Sequence, residues 1–123
     1  MAQEQPQISI IDDDDSLRAA LAGLIRSLGY RVSAHASAED FLVAGEASQS
    51  ACIVSDIHMP GLSGIELTQH LAQAGYVVPV IMITARTEAG LRERALASGA
   101  LCVLQKPFAA EALIDCLDKA LAG

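Results

Sequence analysis

Four apolar runs in this chain each end on a residue with phosphate or metal chemistry. Ile8-Ser9-Ile10-Ile11 leads into Asp12-Asp13, and Cys52-Ile53-Val54-Ser55 leads into Asp56. Val80-Ile81-Met82-Ile83 leads into Thr84, and Leu101-Cys102-Val103-Leu104-Gln105 leads into Lys106. Runs this short and this apolar read as strands covered on both faces, as in parallel sheets. Parallel strands bring their carboxyl ends to one edge, where open α/β sheets bind ligands. Three carboxylates, a hydroxyl and an ammonium gathered there suit a divalent metal and a phosphoryl group.

Helical periodicity separates the runs. Leu17, Leu21, Leu24 and Leu28 recur at steps of four and three, with Ile25 beside them and Arg18 and Arg26 on other faces. Asp14 or Asp15 caps the start of this helix and Gly29 stops it. Arg31 to Ala36 alternates, with Val32, Ala34 and Ala36 on one side and His35 on the exposed side, as in an edge strand. Ser37 opens a short helix carrying Phe41 and Leu42, and Ser63 caps a third that turns Leu67 and Leu71 inward. A fourth helix, weakly amphipathic, spans about Glu88 to Ser98, and a fifth spans about Ala110 to Leu121. His70 belongs on an exposed helix surface.

Five βα units follow, an α/β class with a parallel sheet. Asp12 and Asp56 can meet only if strands one and three are neighbours, because the intervening segment holds two helices and the polar-faced strand. The expected fold is therefore flavodoxin-like: a doubly wound five-stranded parallel sheet of order 2-1-3-4-5 with five helices. The 123 residues fit a single domain, 1–123, with 1–7 as a loose N-terminal segment. Hydrophobic residues make up 52%, enough for a core without covalent staples.

The net charge of −7 argues against direct nucleic-acid binding. Cys52, Cys102 and Cys116 form no CxxC pair and leave an odd count, which reads as buried free thiols in a reducing compartment. Met1 to Gln7 lacks the charged start and apolar run of a signal peptide, and no run spans a bilayer. A soluble cytoplasmic protein is expected.

Taken together, Ile11-Asp12-Asp13, Asp56-Ile57-His58-Met59-Pro60-Gly61, Gly64 with Glu66-Leu67, Thr84-Ala85, Gly99-Ala100 and Lys106-Pro107-Phe108 resemble the receiver domain of two-component response regulators. The likeness runs from about Gln7 to Leu121. Ser37-Ala38-Glu39-Asp40-Phe41-Leu42 and Gln105-Lys106-Pro107-Phe108 are similar to the FixJ-type subgroup. The resemblance implies that Asp56 takes a phosphoryl group from a sensor histidine kinase or phosphotransfer protein. It implies magnesium held by Asp13, Asp56 and the backbone carbonyl of His58, with Asp12 acting mainly through water. Lys106 is implied as a counter-charge to a phosphoryl oxygen, and Thr84 as a hydroxyl donor after transfer. A cis Pro107 is implied as well. Output is implied at the helix-four, strand-five, helix-five face, as homodimerisation on phosphorylation or control of a partner. In that subgroup a C-terminal DNA-binding output domain often follows. None is present in this chain, and a single-domain regulator and an excised receiver both stay open.

One position departs from the family. The aromatic residue usual in the middle of strand five is Val103 here, which has no ring to swing and is stiff at χ1. Coupling to the output face is then weak or carried by the loop after Thr84. Three competing readings are set against this one. A degenerate receiver would act as a constitutive protein-interaction module. An aspartate-based phosphohydrolase needs a second aspartate two residues after the nucleophile, where His58 stands. A calcium or flavin binder needs an EF-hand ligand pattern or a glycine-rich phosphate loop, and neither is found.

Overall fold

The computed structural model describes residues 5–122. Five strands, β1 (Gln7–Ile11), β2 (Arg31–His35), β3 (Cys52–Asp56), β4 (Val80–Thr84) and β5 (Cys102–Gln105), alternate with five helices. These are α1 (Asp15–Ser27), α2 (Ala38–Ala44), α3 (Gly64–Gln73), α4 (Leu91–Ala97) and α5 (Ala110–Ala122), with a 3-10 turn at Ala47–Gln49. The strands form one parallel sheet in the order β2-β1-β3-β4-β5, the flavodoxin-like order expected.

The apolar runs are explained by burial on two sides. Ile8, Ile10, Cys52, Val54, Ile81 and Ile83 face α1 and α5, where Leu21, Ile25, Leu113 and Leu117 complete one core. The alternate residues Ile11, Ile53 and Met82 face α2, α3 and α4, packing with Phe41, Leu67, Leu71 and Leu91 in the other. Helix starts follow local chemistry. The Asp14 carboxylate accepts from the Ser16 and Leu17 amides at the head of α1. Ser63 and Glu66 form a reciprocal capping box at the head of α3. His70 is exposed on α3, as expected.

Four local expectations are corrected. Gln7 is buried in β1, and the Pro6 and Gln5 carbonyls accept from Arg31, so the segment expected to be loose at 1–7 is anchored from residue 5. Its residues 1–4 lie outside the described residues. Helix α4 begins at Leu91 rather than near Glu88, because Gly90 at φ +81° turns the chain and no side chain caps the earlier amides. Strand β5 starts at Cys102, with Leu101 exposed. His35, expected on the exposed side of β2, is instead covered. Its side chain is only 11% exposed, packs edge-on against Phe41 at 5.4 Å and bonds Ser33 and Glu46. Helix α2 covers that face of the edge strand.

Candidate functional site

The sheet ladder continues beyond the strand ends and fixes the residues that follow. The Asp12 amide donates to the His35 carbonyl at 3.1 Å, and the Ile57 amide to the Ile83 carbonyl at 2.9 Å. The Lys106 amide donates to the Thr84 carbonyl at 2.8 Å. Asp12, Asp56, Thr84 and Lys106 thus stand on rigid backbone at one edge of the sheet. Gly64 lets α3 approach closely. A Cβ there would lie 2.5 Å from the Asp56 carbonyl, whereas the glycine amide donates to the Ile57 carbonyl at 2.8 Å.

At this edge the expected acids meet. Asp12, Asp13 and Asp56 each present a carboxylate oxygen, all within 4.8 Å of one another. Asp12 is 1% and Asp56 8% exposed, while Asp13 is open to solvent. Lys106 Nζ lies 3.2 Å from Asp56 Oδ2 and 3.7 Å from Asp12 Oδ2. Asp12 Oδ1 accepts from the Asp14 amide at 2.9 Å, but Asp12 Oδ2 is buried with no hydrogen-bond partner among the described residues. Burial pushes the Asp12 carboxyl above its ordinary 3.8, and the neighbouring Asp56 charge adds to this; the Asp14 amide and Lys106 pull the other way. An acid orphaned beside two others and one ammonium has the donor set of a hard divalent cation site.

Thr84 is buried on the adjacent strand. Its hydroxyl accepts from the Arg86 amide at 3.0 Å, which uses a lone pair and leaves its proton for another acceptor. His58 is half-buried on the loop after β3. It lines a neighbouring cleft with Met59, Pro60, Ser63 and Arg86. The Lys106–Pro107 peptide is cis.

Three supporting residues escaped sequence reasoning. Arg18, assigned to an outer helix face, reaches back so that Nη1 donates to the Asp12 carbonyl at 2.7 Å, and it also pairs with Asp15. Glu39 on α2 accepts from the Leu62 amide at 2.8 Å and holds the loop after Gly61. Arg86 ties the loop after β4 to Thr84. Arg18 and Glu39 act across long sequence gaps or around a helix turn, where no periodicity marks them.

Comparison with known proteins gives one answer throughout. Residues 8–118 match the family model described as the response regulator receiver domain. The chain is 41% identical over 111 residues to the transcriptional regulatory protein FixJ of Azorhizobium caulinodans, which covers 90% of this chain and 53% of that protein. It is 35% identical over 115 residues to the transcriptional regulatory protein TdiR of Thauera aromatica, covering 94% of this chain and 51% of that one. The chain spans about half the length of these curated relatives. Among solved structures, the crystal structure of FixJ-N superposes with a TM-score of 0.87 at 30% identity, covering 98% of this chain and 96% of that chain. Order of strands, the acid edge and the relatives agree, and this chain belongs to the receiver domain family of two-component response regulators.

Proposed function

We propose that this domain accepts a phosphoryl group on Asp56 from a phosphohistidine of a sensor histidine kinase or phosphotransfer protein. An Asp56 carboxylate oxygen attacks phosphorus, the phosphorus–nitrogen bond breaks, and the imidazole leaves with the bonding pair. The observation that carries this reading is the Lys106 ammonium 3.2 Å from Asp56 among three converging acids. Lys106 balances charge that collects on the phosphoryl oxygens, and the Thr84 hydroxyl donates to one of them after transfer. Magnesium fits the acid cluster, with Asp13, Asp56 and the His58 carbonyl as ligands and Asp12 through water. When bound it supplies charge neutralisation between carboxylates and phosphate. The domain is then a self-modifying signalling module rather than a turnover enzyme, and an ATP-charged donor implies a cytoplasmic location.

An apolar trough of about 620 Å³ runs along α1 past Leu17, Leu21 and Leu24 to Pro107 and Phe108, with Lys106 at its rim. It offers the donor protein a dry surface beside the acceptor. Output is assigned to the α4–β5–α5 face, as homodimerisation or control of a C-terminal output domain. Leu96 and Leu101 are 40% and 43% exposed there. With Val103 in place of a ring, the relay runs through backbone. The Arg86 amide holds the Thr84 hydroxyl, so turning that hydroxyl toward a phosphoryl oxygen moves the loop that leads into α4.

The test is to incubate the protein with acetyl phosphate or phosphoramidate and magnesium and to weigh it. A gain of one phosphoryl group, absent in Asp56→Asn, is the expected result. No gain in the wild-type protein, or an equal gain in the variant, overturns the proposal.

A further inference from the structure

A chain of hydrogen bonds holds the turn that carries the first two acids. The Asp14 amide donates to Asp12 Oδ1 at 2.9 Å, and Asp14 Oδ1 accepts from the Ser16 and Leu17 amides at 3.0 and 3.1 Å. Arg18 reaches back from α1, where Nη1 donates to the Asp12 carbonyl at 2.7 Å and Nη2 to Asp15 Oδ1 at 2.5 Å. These bonds engage Asp12, Asp14 and Asp15, and none of them aims the Asp13 carboxylate. Yet Asp13 is the exposed member of three acids whose oxygens lie within 4.8 Å of one another. Its direction is set by the backbone that precedes it.

Arg18 acts on that backbone. The β1 ladder ends at Ile11, paired with His35 on one side and Ser55 on the other. The Asp12 amide still donates to the His35 carbonyl, but the Asp12 carbonyl accepts from Arg18. This carbonyl and the Asp13 amide belong to one planar peptide group, so holding one holds the other. An arginine on an outer helix face ordinarily keeps its head in water. The Arg18 side chain is only 21% exposed, against 88% for Asp15. Such a surface ion pair contributes little by itself, so the bond to the Asp12 carbonyl is the one with a consequence. We infer that Arg18 is a positioning residue for the divalent cation: by fixing the Asp12–Asp13 peptide, it aims the Asp13 carboxylate toward Asp56. The inference rests on reading the acid cluster as a magnesium site.

Position and charge predict opposite signs, which makes the role testable. A guanidinium beside three acids repels a cation, so if Arg18 acted through its charge, removing it would tighten metal binding. If it positions Asp13, removing it weakens binding. Losing a group that orients a metal ligand typically costs about 10–100-fold in affinity.

The experiment titrates the intact protein with manganese(II), which takes the same oxygen ligands as magnesium, and counts the free ion by electron paramagnetic resonance. Arg18→Met is expected to weaken binding about tenfold. Arg18→Lys keeps the charge without the two-nitrogen fork and weakens binding by less; it carries the test alone if the methionine variant does not fold. The magnesium concentration that half-saturates phosphoryl uptake from acetyl phosphate rises in parallel, while the rate at saturating magnesium stays close to that of the wild type. Unchanged affinity in a variant that melts lower makes Arg18 a purely structural residue and overturns the inference. Tighter binding in Arg18→Met, with Arg18→Lys equal to the wild type, overturns it in favour of charge. In both cases the cation site itself stands, provided that Asp13→Asn loses manganese. A wild-type protein that binds no manganese, or an Asp13→Asn variant that binds it equally well, removes the site and the inference together.

Discussion

Lys106 Nζ stands 3.2 Å from Asp56 Oδ2 and shares its charge with Asp12 Oδ2 at 3.7 Å, so one ammonium offsets two buried carboxylates. Replacing it leaves two buried acids facing each other without a cation. Removing one partner of a buried ion pair costs more than the pair itself contributes, because the remaining charge is stranded. Lys106→Met is therefore expected to lower metal-free stability by about 1–3 kcal/mol. A divalent cation held by the acids would supply positive charge at the same place, so millimolar magnesium is expected to narrow that gap. Thermal unfolding of both proteins with and without magnesium checks this, and equal melting temperatures without metal contradict it.

Asp13 contributes to the same crowding from the solvent side. Unit charges about 4 Å apart interact by roughly 4 kcal/mol at an effective dielectric of 20, before screening at an exposed group reduces it. Asp13→Asn should raise the melting temperature of the metal-free protein and remove the rise expected from magnesium in the wild type. At ten times the dissociation constant that rise corresponds to about 1.4 kcal/mol by mass action. A wild-type melting curve unmoved by magnesium removes the basis for a cation at this edge.

Glu46, bonded to Ser33 and His35, gives the fold a pH dependence of readable sign. Its carboxylate accepts from Ser33 and faces the His35 ring, and the Ser33 hydrogen bond is the main reason its carboxyl sits below the ordinary 4.5. A depressed acid stabilises the fold above its unfolded value, and that stability is lost as pH falls through the folded value. Asp12 has the opposite sign. Burial raises its carboxyl, so its contribution is fully present below 3.8 and lost as pH rises through its folded value. Glu46→Gln should cost about 1 kcal/mol near neutral pH, with the difference closing as both proteins are acidified below about pH 4. Paired melting curves across that range decide it, and a difference independent of pH rules out the carboxylate as its source.

Much of this architecture is legible in the chain because strands buried on two faces leave uninterrupted apolar runs. Ile8 to Ile11 and Val80 to Ile83 need no partner to be recognised. The site is legible for a related reason: Asp12, Asp56, Thr84 and Lys106 each follow such a run, and a parallel sheet of order 2-1-3-4-5 brings them to one edge. What escaped lies where topology is silent. Alternation in β2 shows that two faces differ but not that α2 covers the His35 side. The head of α4 is set by a left-handed glycine, not by hydrophobic spacing. Arg18 projects from a face that periodicity assigns to solvent, yet its long side chain reaches back around the helix start to Asp12.

Gly64 is the position where backbone geometry most directly holds Asp56. The first turn of α3 presses against the end of β3, and the Gly64 amide bonds the Ile57 carbonyl at 2.8 Å. A methyl group added there meets the Asp56 carbonyl at 2.5 Å and Ile57 Cα at 3.2 Å, both of them backbone atoms that cannot rotate away. Either α3 lifts from the sheet or the strand end shifts, and Asp56 moves relative to Lys106 in both cases. Forced overpacking of this kind costs typically about 1–3 kcal/mol. Gly64→Ala is expected to lose that much stability and also to slow phosphoryl uptake from acetyl phosphate, although no functional side chain is altered. A surface control such as His70→Ala should change neither. Unfolding curves combined with intact-mass time courses separate the two effects: a destabilised variant that takes up phosphoryl at the wild-type rate means that the close approach of α3 supports the fold without positioning Asp56.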